Sequence, residues 1–232
     1  MELWPKKSER LKMKTIAIIP ARGGSKRLPK KNQLLLGGIP LVAHSILYAK
    51  ENLDLIDALY VSTDCPEIKE ISSRFGAKVI DRPLELSGDI NNTVSALKHV
   101  LENIDAVENV VLLQPTNPLR PKTLLSEAFA KFQLENYDSL MTVSRNHQKF
   151  GKITNQKFIP FNYSLGQRSQ DLEPLYYENG LLYISKAELI LNDMIFSEAG
   201  FPFVVDHPFA AIDIDTVEDF NYAEYLYQKT NK

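Results

Sequence analysis

The sequence predicts an α/β fold built on a mostly parallel sheet, and three observations carry that expectation. Short β-rich runs alternate with amphipathic stretches, the order in which strands and crossover helices follow one another. The first run, residues 15–20 (TIAIIP), is apolar without interruption, as a strand covered on both faces must be. A chain of 232 residues with 44% hydrophobic side chains can also bury one large core.

The elements follow in order. After the first strand, residues 40–50 read as a helix and 58–63 (ALYVST) as a strand. Residues 66–75 form a helix stopped by Gly76, and 78–80 a short strand. A helix is expected over 91–103 with Asn91 or Asn92 as its cap, then a buried strand over 109–113 (NVVLL). Residues 121–134 read as a helix with proline in its first turn, and 139–143 as a strand. The rhythm then breaks. Residues 145–178 are polar, carry Pro160, Gly166 and Pro174, and show only a β-like piece around 157–161, too long a stretch for an ordinary loop. Strands over 181–184, 204–205 and 211–215, a short helix from Lys186 and a last helix over 217–227 restore the pattern. One α/β domain, residues 13–232 with an inserted arm, is the simplest division, and residues 1–12, charged and placed before Met13, read as a disordered, non-structural leader or as the product of an upstream start codon.

Composition bounds the function. The 27 basic and 29 acidic side chains leave a net charge of −2, which argues against a general nucleic-acid or membrane-surface binder. No window approaches the ~20 apolar residues of a membrane span. The single cysteine, Cys65, excludes an intramolecular disulfide scaffold and suits a reducing cytoplasm.

Against that neutral background, residues 22–31 hold five basic residues and no acid, directly after the first strand. The Gly23-Gly24 pair lets backbone N–H groups approach an anion, and the carboxyl end of a strand is where open α/β sheets bind ligands. The segment therefore reads as a phosphate cradle with its own counter-charges; it matches neither the Walker A nor the GxGxxG spacing, and a solvated basic loop is the alternative. Residues 212–216 (IDIDT) place Asp213 and Asp215 on one side of an extended chain and Ile212 and Ile214 on the other. Two such carboxylates suit Mg²⁺, although Asp215 or Thr216 could instead cap the helix that follows. Residues 114–120 (QPTNPLR) form a proline-stiffened turn presenting Gln114, Thr116 and Asn117 at another strand end. Of the histidines, His44 sits on an amphipathic helix in a structural position.

Together with residues 61–64 (VSTD), 82–89 (RPLELSGD) and 168–184 (RSQDLEPLYYENGLLYI), these segments resemble, in order, the cytidylyltransferases that activate acidic 2-keto sugars, the CMP-sialic acid synthetase family. The resemblance implies a three-layer, Rossmann-like nucleotide-diphosphosugar-transferase fold and a reaction of CTP with a nonulosonic acid, giving the CMP-sugar and pyrophosphate. It implies Mg²⁺ (or Mn²⁺) on Asp213 and Asp215, with Arg22 and Lys31 completing the catalytic charges. Arg22, Gly24, Ser25, Lys31 and Asn32 would hold the triphosphate, with Arg82, Asn91 and Thr93 in the segment that reads cytidine. Gln114, Arg168, Gln170 and Asn179 would face the sugar, and the arm would be exchanged in a homodimer. Glu173 stands where the family often has proline, and Tyr177 where sialate enzymes often have arginine. Sialic, legionaminic, pseudaminic, Kdn and Kdo-like acids thus all stay open. Two rival functions are a sugar-1-phosphate nucleotidyltransferase, whose GxGTRLxPLT-like loop is absent, and a non-catalytic nucleotide-binding domain.

Overall fold

The computed structural model describes residues 15–88 and 92–230. The expected leader and Asn91 lie outside the described residues. Elements in chain order are β1 (Thr15–Pro20), β2 (Leu35–Leu36), β3 (Ile39–Pro40), α1 (Leu41–Lys50), β4 (Ala58–Thr63), α2 (Pro66–Arg74), β5 (Lys78–Asp81) and α3 (Thr93–Glu102). There follow β6 (Asn109–Leu112), α4 (Leu124–Leu134), β7 (Ser139–Arg145), β8 (Gly151–Thr154), β9 (Lys157–Pro160), β10 (Tyr176–Lys186), α5 (Ala187–Leu191), β11 (Phe201–Val204) and α6 (Val217–Thr230).

Seven strands form one sheet in the order β11-β7-β10-β6-β1-β4-β5. Within it β10 runs antiparallel to β6 and β7, and the other neighbouring pairs are parallel. The alternation of β1 explains the layers. Ala17 and Ile19 face a core shared with Val42 and Ile46 of α1, Ile68 of α2 and Leu125 and Phe129 of α4. Ile16 and Ile18 face the other core, with Val94 and Leu97 of α3 and Ile190 of α5. From β1 the chain steps outward through β4 to β5 and returns on the opposite side of β1 as β6, so the carboxyl end of β1 is a topological switch point.

A third apolar cluster lies beside the sheet. Leu28 from the loop after β1 packs with Ile212 and Ile214 and with Ala223 and Leu226 of α6. This cluster joins the basic loop to the aspartate segment, which are far apart in sequence.

Four expectations need correction. Residues 211–215 are not a strand: Pro208–Ala211 is a 3₁₀ turn, and beyond it the Ile214 N–H donates to the Thr116 carbonyl rather than entering a ladder. The alternation nevertheless holds, with Ile212 and Ile214 buried and Asp213 on the solvent side. Helix α4 starts at Leu124, because Pro121 accepts a turn bond from the Leu124 N–H instead of occupying the first helical turn. Strand β10 begins at Tyr176 rather than 181, pairing with β7 through a bulge between Glu178 and Tyr183. Gly180 sits in that bulge at φ +74, where a Cβ would come within 2.8 Å of the Asn117 side chain. Finally, the arm contains a hairpin of β8 and β9, turning at Asn155 and Gln156 with φ 50 and 61, the type I′ requirement.

Candidate active site

The loop after β1 is pinned before it is charged. The Gly23 N–H donates to Asp64 Oδ1 at 2.9 Å, and a Cβ on Gly23 would lie 2.9 Å from Cys65 Cβ, so only glycine fits against the end of β4. Gly24 faces open space. Buried Asn32 closes the loop by donating from Nδ2 to the Arg22 carbonyl at 2.9 Å, and Lys30, at φ 54, turns the chain into the 3₁₀ turn Lys31–Gln33.

The third apolar cluster then brings the acidic segment against this loop. Lys31 Nζ donates to the Ile214 carbonyl at 2.7 Å and to Asp215 Oδ1 at 2.8 Å, while Arg27 Nη2 lies 2.6 Å from Asp215 Oδ2. Thr216, not Asp215, caps α6. The Asp219 N–H donates to Thr216 Oγ1, and the Asp219 carboxylate accepts from the backbone N–H groups of Asp215 and Thr216, a capping box. Capping therefore does not use the Asp215 carboxylate, which is committed to Lys31 and Arg27. Although the residue is exposed, partial desolvation of the Asp213 carboxyl, and then the neighbouring Asp215 charge, hold it above its usual range against an opposing hydrogen bond from Thr116.

Between these groups lies a cavity of about 450 Å³. Of the residues expected at the site, it brings together Arg22, Ser25, Lys31, Asn32, Arg82, Thr93, Gln114 and Asp215. Arg82 is buried, donating from Nε to Ser62 Oγ at 3.0 Å and from Nη2 to the Ser62 carbonyl at 2.6 Å. Desolvation lowers its pKa to about 10, with the Asp64 charge opposing and that of Arg22 adding. Asn92 caps α3 at the cavity edge through the Ser95 N–H.

Other expected residues sit apart. Gly24 and Asp213 flank lining residues without lining the cavity themselves. Arg168 and Gln170 are exposed on the arm, where Arg168 is paired with Asp171 at 2.7 Å. Asn179 is buried in β10 and spends its side chain on the sheet: Oδ1 accepts from Thr142 Oγ1 and the Leu181 N–H, and Nδ2 donates to Ser144 Oγ. His44 is buried in α1 with Nε2 3.0 Å from the Leu36 carbonyl.

Sequence reasoning assigned no role to Arg27, Asp64 or Arg120. Arg120 is the hidden support of the Gln114 turn. It donates from Nη2 to the Gln114 carbonyl at 2.9 Å, from Nε to the Leu181 carbonyl at 2.7 Å and from Nη1 to Ser45 Oγ at 3.1 Å. Burial lowers its pKa to about 10, and its guanidinium lies 5.5 Å from the Tyr48 ring centroid. Asn117 Nδ2 ties the same turn to the Asn179 and Ile212 carbonyls. Its only sequence signal was its place in QPTNPLR.

Among the described residues no group of three or more His, Cys, Asp and Glu side chains gathers around a metal position. A pair of carboxylates fits Mg²⁺ all the same, since that ion commonly takes one or two carboxylates and completes its shell with water and phosphate oxygens.

Residues 16–231 match the family model described as Cytidylyltransferase. The chain belongs to that family. Among cytidylyltransferases of known name, it is 36% identical over 216 residues to the N-acylneuraminate cytidylyltransferase of Streptococcus agalactiae serotype III (strain NEM316), an alignment covering 90% of this chain and 52% of that protein. The chain thus spans about half the length of that relative. It is 34% identical over 229 residues to the CMP-N,N'-diacetyllegionaminic acid synthase of Legionella pneumophila subsp. pneumophila (strain Philadelphia 1), covering 92% of this chain and 96% of that one. The fold matches that of CMP:2-keto-3-deoxy-manno-octonic acid synthetase complexed with CTP, with a TM-score of 0.69 at 17% identity, covering 94% of this chain and 99% of that one.

Proposed function

We propose that this cytidylyltransferase transfers CMP from CTP to the anomeric hydroxyl of a nonulosonic acid, releasing pyrophosphate, in the cytoplasm. One observation carries the reading: a cavity at the switch point lined by Arg22, Ser25, Lys31 and Asn32 on one side and Asp215 on the other. Named relatives acting on acylneuraminate and on diacetyllegionaminic acid support the substrate class.

The chemistry follows from charge. An alcohol attacking a polyanion needs repulsion cancelled, and the attack at the α-phosphorus must be in line with the departing pyrophosphate. Arg22 and Lys31 hold the phosphates, and Ser25 and Asn32 orient them, so positive charge is in place where negative charge develops. Mg²⁺ on Asp213 and Asp215 would supply further neutralisation of phosphate oxygens. Arg82 and Thr93, with Asn91 in the same segment, read the cytidine from the end of the cavity beside β4 and α3. Gln114, steadied by Arg120, faces the sugar, and Arg168 and Gln170 are assigned to its carboxylate and tail; Asn179, buried and committed to Thr142, Ser144 and the Leu181 N–H, supports the sheet beneath instead.

Because Arg168 and Gln170 lie on the arm, the proposal includes a homodimer in which the arm reaches a neighbour's site. Exposed Phe150, Ile153, Phe158, Ile159, Phe161 and Leu165 give it an apolar surface to bury.

The test is pyrophosphate release from CTP, with UTP as control, against a panel of sialic, legionaminic, pseudaminic, Kdn and Kdo-like acids. Turnover with CTP and at least one of these acids is expected. Binding of CTP without turnover on any of them would return the chain to a non-catalytic nucleotide-binding role.

A further inference from the structure

Asp215 is where the basic loop and the acidic segment cross. Arg27 Nη2 is 2.6 Å from its Oδ2 and Lys31 Nζ 2.8 Å from its Oδ1, so each carboxylate oxygen already has a cation. A divalent ion approaching this carboxylate meets positive charge that it must displace. The two cations differ in how firmly they are held. The Lys31 side chain is 12% exposed, starts from a 3₁₀ turn and is also tied to the Ile214 carbonyl. The Arg27 side chain is 71% exposed and reaches Asp215 from the solvent side. Arg27 also lines the cavity that holds Arg22, Ser25 and Lys31. The guanidinium fork that grips a carboxylate grips a phosphate equally well. A polyphosphate in the cavity therefore competes with Asp215 for Arg27, and Lys31 stays in place between them.

We propose that Arg27 is a counter-ion lock on Asp215, holding the carboxylate against a divalent cation until a nucleoside triphosphate draws the guanidinium away. Metal entry is thereby coupled to nucleotide binding, and Arg27 acts as a positioning residue that exchanges one anionic partner for another. The inference rests on the reading of Asp213 and Asp215 as metal ligands. Its consequence runs opposite to that of simple damage. Removing Arg27 strengthens divalent-ion binding by the nucleotide-free protein, because an exposed ion pair no longer competes, and it weakens nucleotide binding when metal is withheld.

The experiment titrates Mn²⁺ into nucleotide-free protein and follows the free ion by electron paramagnetic resonance. The variants are Arg27→Gln, Lys30→Gln, and Arg27→Gln combined with Asp213→Asn or with Asp215→Asn. Arg27→Gln should bind Mn²⁺ about two- to fivefold more tightly than wild type, the scale of an exposed pair. Lys30→Gln removes a charge from the same loop on the side facing Glu67, and should leave Mn²⁺ affinity unchanged. Either aspartate replacement should abolish the gain. CTP binding measured by calorimetry in EDTA should weaken in Arg27→Gln. Equal Mn²⁺ affinity in Arg27→Gln and wild type, or the same gain from Lys30→Gln, would overturn the lock. If both double variants keep the tight Mn²⁺ site, the aspartate pair is not the metal site and both readings fall. If both lose it and Arg27→Gln alone binds no better than wild type, only the lock falls.

Discussion

Asp213 combines a functional assignment with a cost to the fold. A carboxyl raised above its ordinary value in the folded chain stabilises the fold fully below the unfolded value, and that contribution is lost as pH rises through the folded one. Above the folded value the ionised group is therefore a burden on the fold, offset if it holds a metal. Asp213→Asn should melt at or above the wild-type temperature at pH 7, measured by scanning calorimetry. Turnover of Asp213→Asn or Asp215→Asn at saturating Mg²⁺ should fall by ~10²-fold or more. Near-normal turnover in both would leave the pair without a metal role. Arg120 is the opposite case, a buried cation whose partners are carbonyl and hydroxyl oxygens and a ring face. Arg120→Ala removes the guanidinium donor from the Leu181 carbonyl and leaves the Gln114 carbonyl with only the Asn117 N–H and Ser45 hydroxyl, so a loss of about 2–4 kcal/mol is expected in urea unfolding. The loosened Gln114 turn should also raise KM for the sugar more than KM for CTP.

At the scale of elements, the start of α6 separates two uses of neighbouring oxygens. Burial alone would raise the Asp219 carboxyl, but the N–H groups of Asp215 and Thr216, the Thr216 hydroxyl and the Arg27 charge together hold it below its ordinary range. Its contribution to stability is thus present above the unfolded value and lost as pH falls through the folded one. Thr216→Ala removes the hydroxyl that accepts the Asp219 N–H and should cost about 1 kcal/mol. If capping and metal binding are separate jobs, this variant keeps the Mg²⁺ dependence of the wild type, read as the metal concentration giving half-maximal rate. A shift of that midpoint as large as the one in Asp215→Asn would merge the two roles.

For the whole molecule, the arm sets the expectation. The β8–β9 hairpin pairs with itself rather than with the main sheet, and its apolar side chains remain exposed in the single chain. A homodimer that buries them predicts loss of activity on dilution below the dimer constant. Mixing inactive Asp215→Asn subunits with inactive Arg168→Ala subunits should restore turnover, because one of the two composite sites in the mixed dimer is then intact. Full activity in a monomer by light scattering, or no recovery after demonstrated subunit exchange, would return Arg168 to its own chain.

Strands β1 and β4 were legible to the residue in the sequence, since short runs rich in apolar and β-branched residues have few other uses. The basic loop and the alternation of buried Ile212 and Ile214 with exposed Asp213 were legible too, because glycine pairing, charge clustering and a two-residue period are local properties. Helix ends were legible where a cap stood, as Asn92 does for α3, and less so where Pro121 served a turn instead. Residues 211–215 misled as a strand because extended backbone and alternation do not require a ladder; only the partner of the Ile214 N–H decides. What the tertiary structure decided was coincidence in space. The packing of Leu28 on Ile212 and Ile214 brings Arg27 and Lys31 onto Asp215, and the buried Arg120 holds the Gln114 turn against β10. Local pattern carries no record of such contacts, because they are made between segments that meet only after the core has closed.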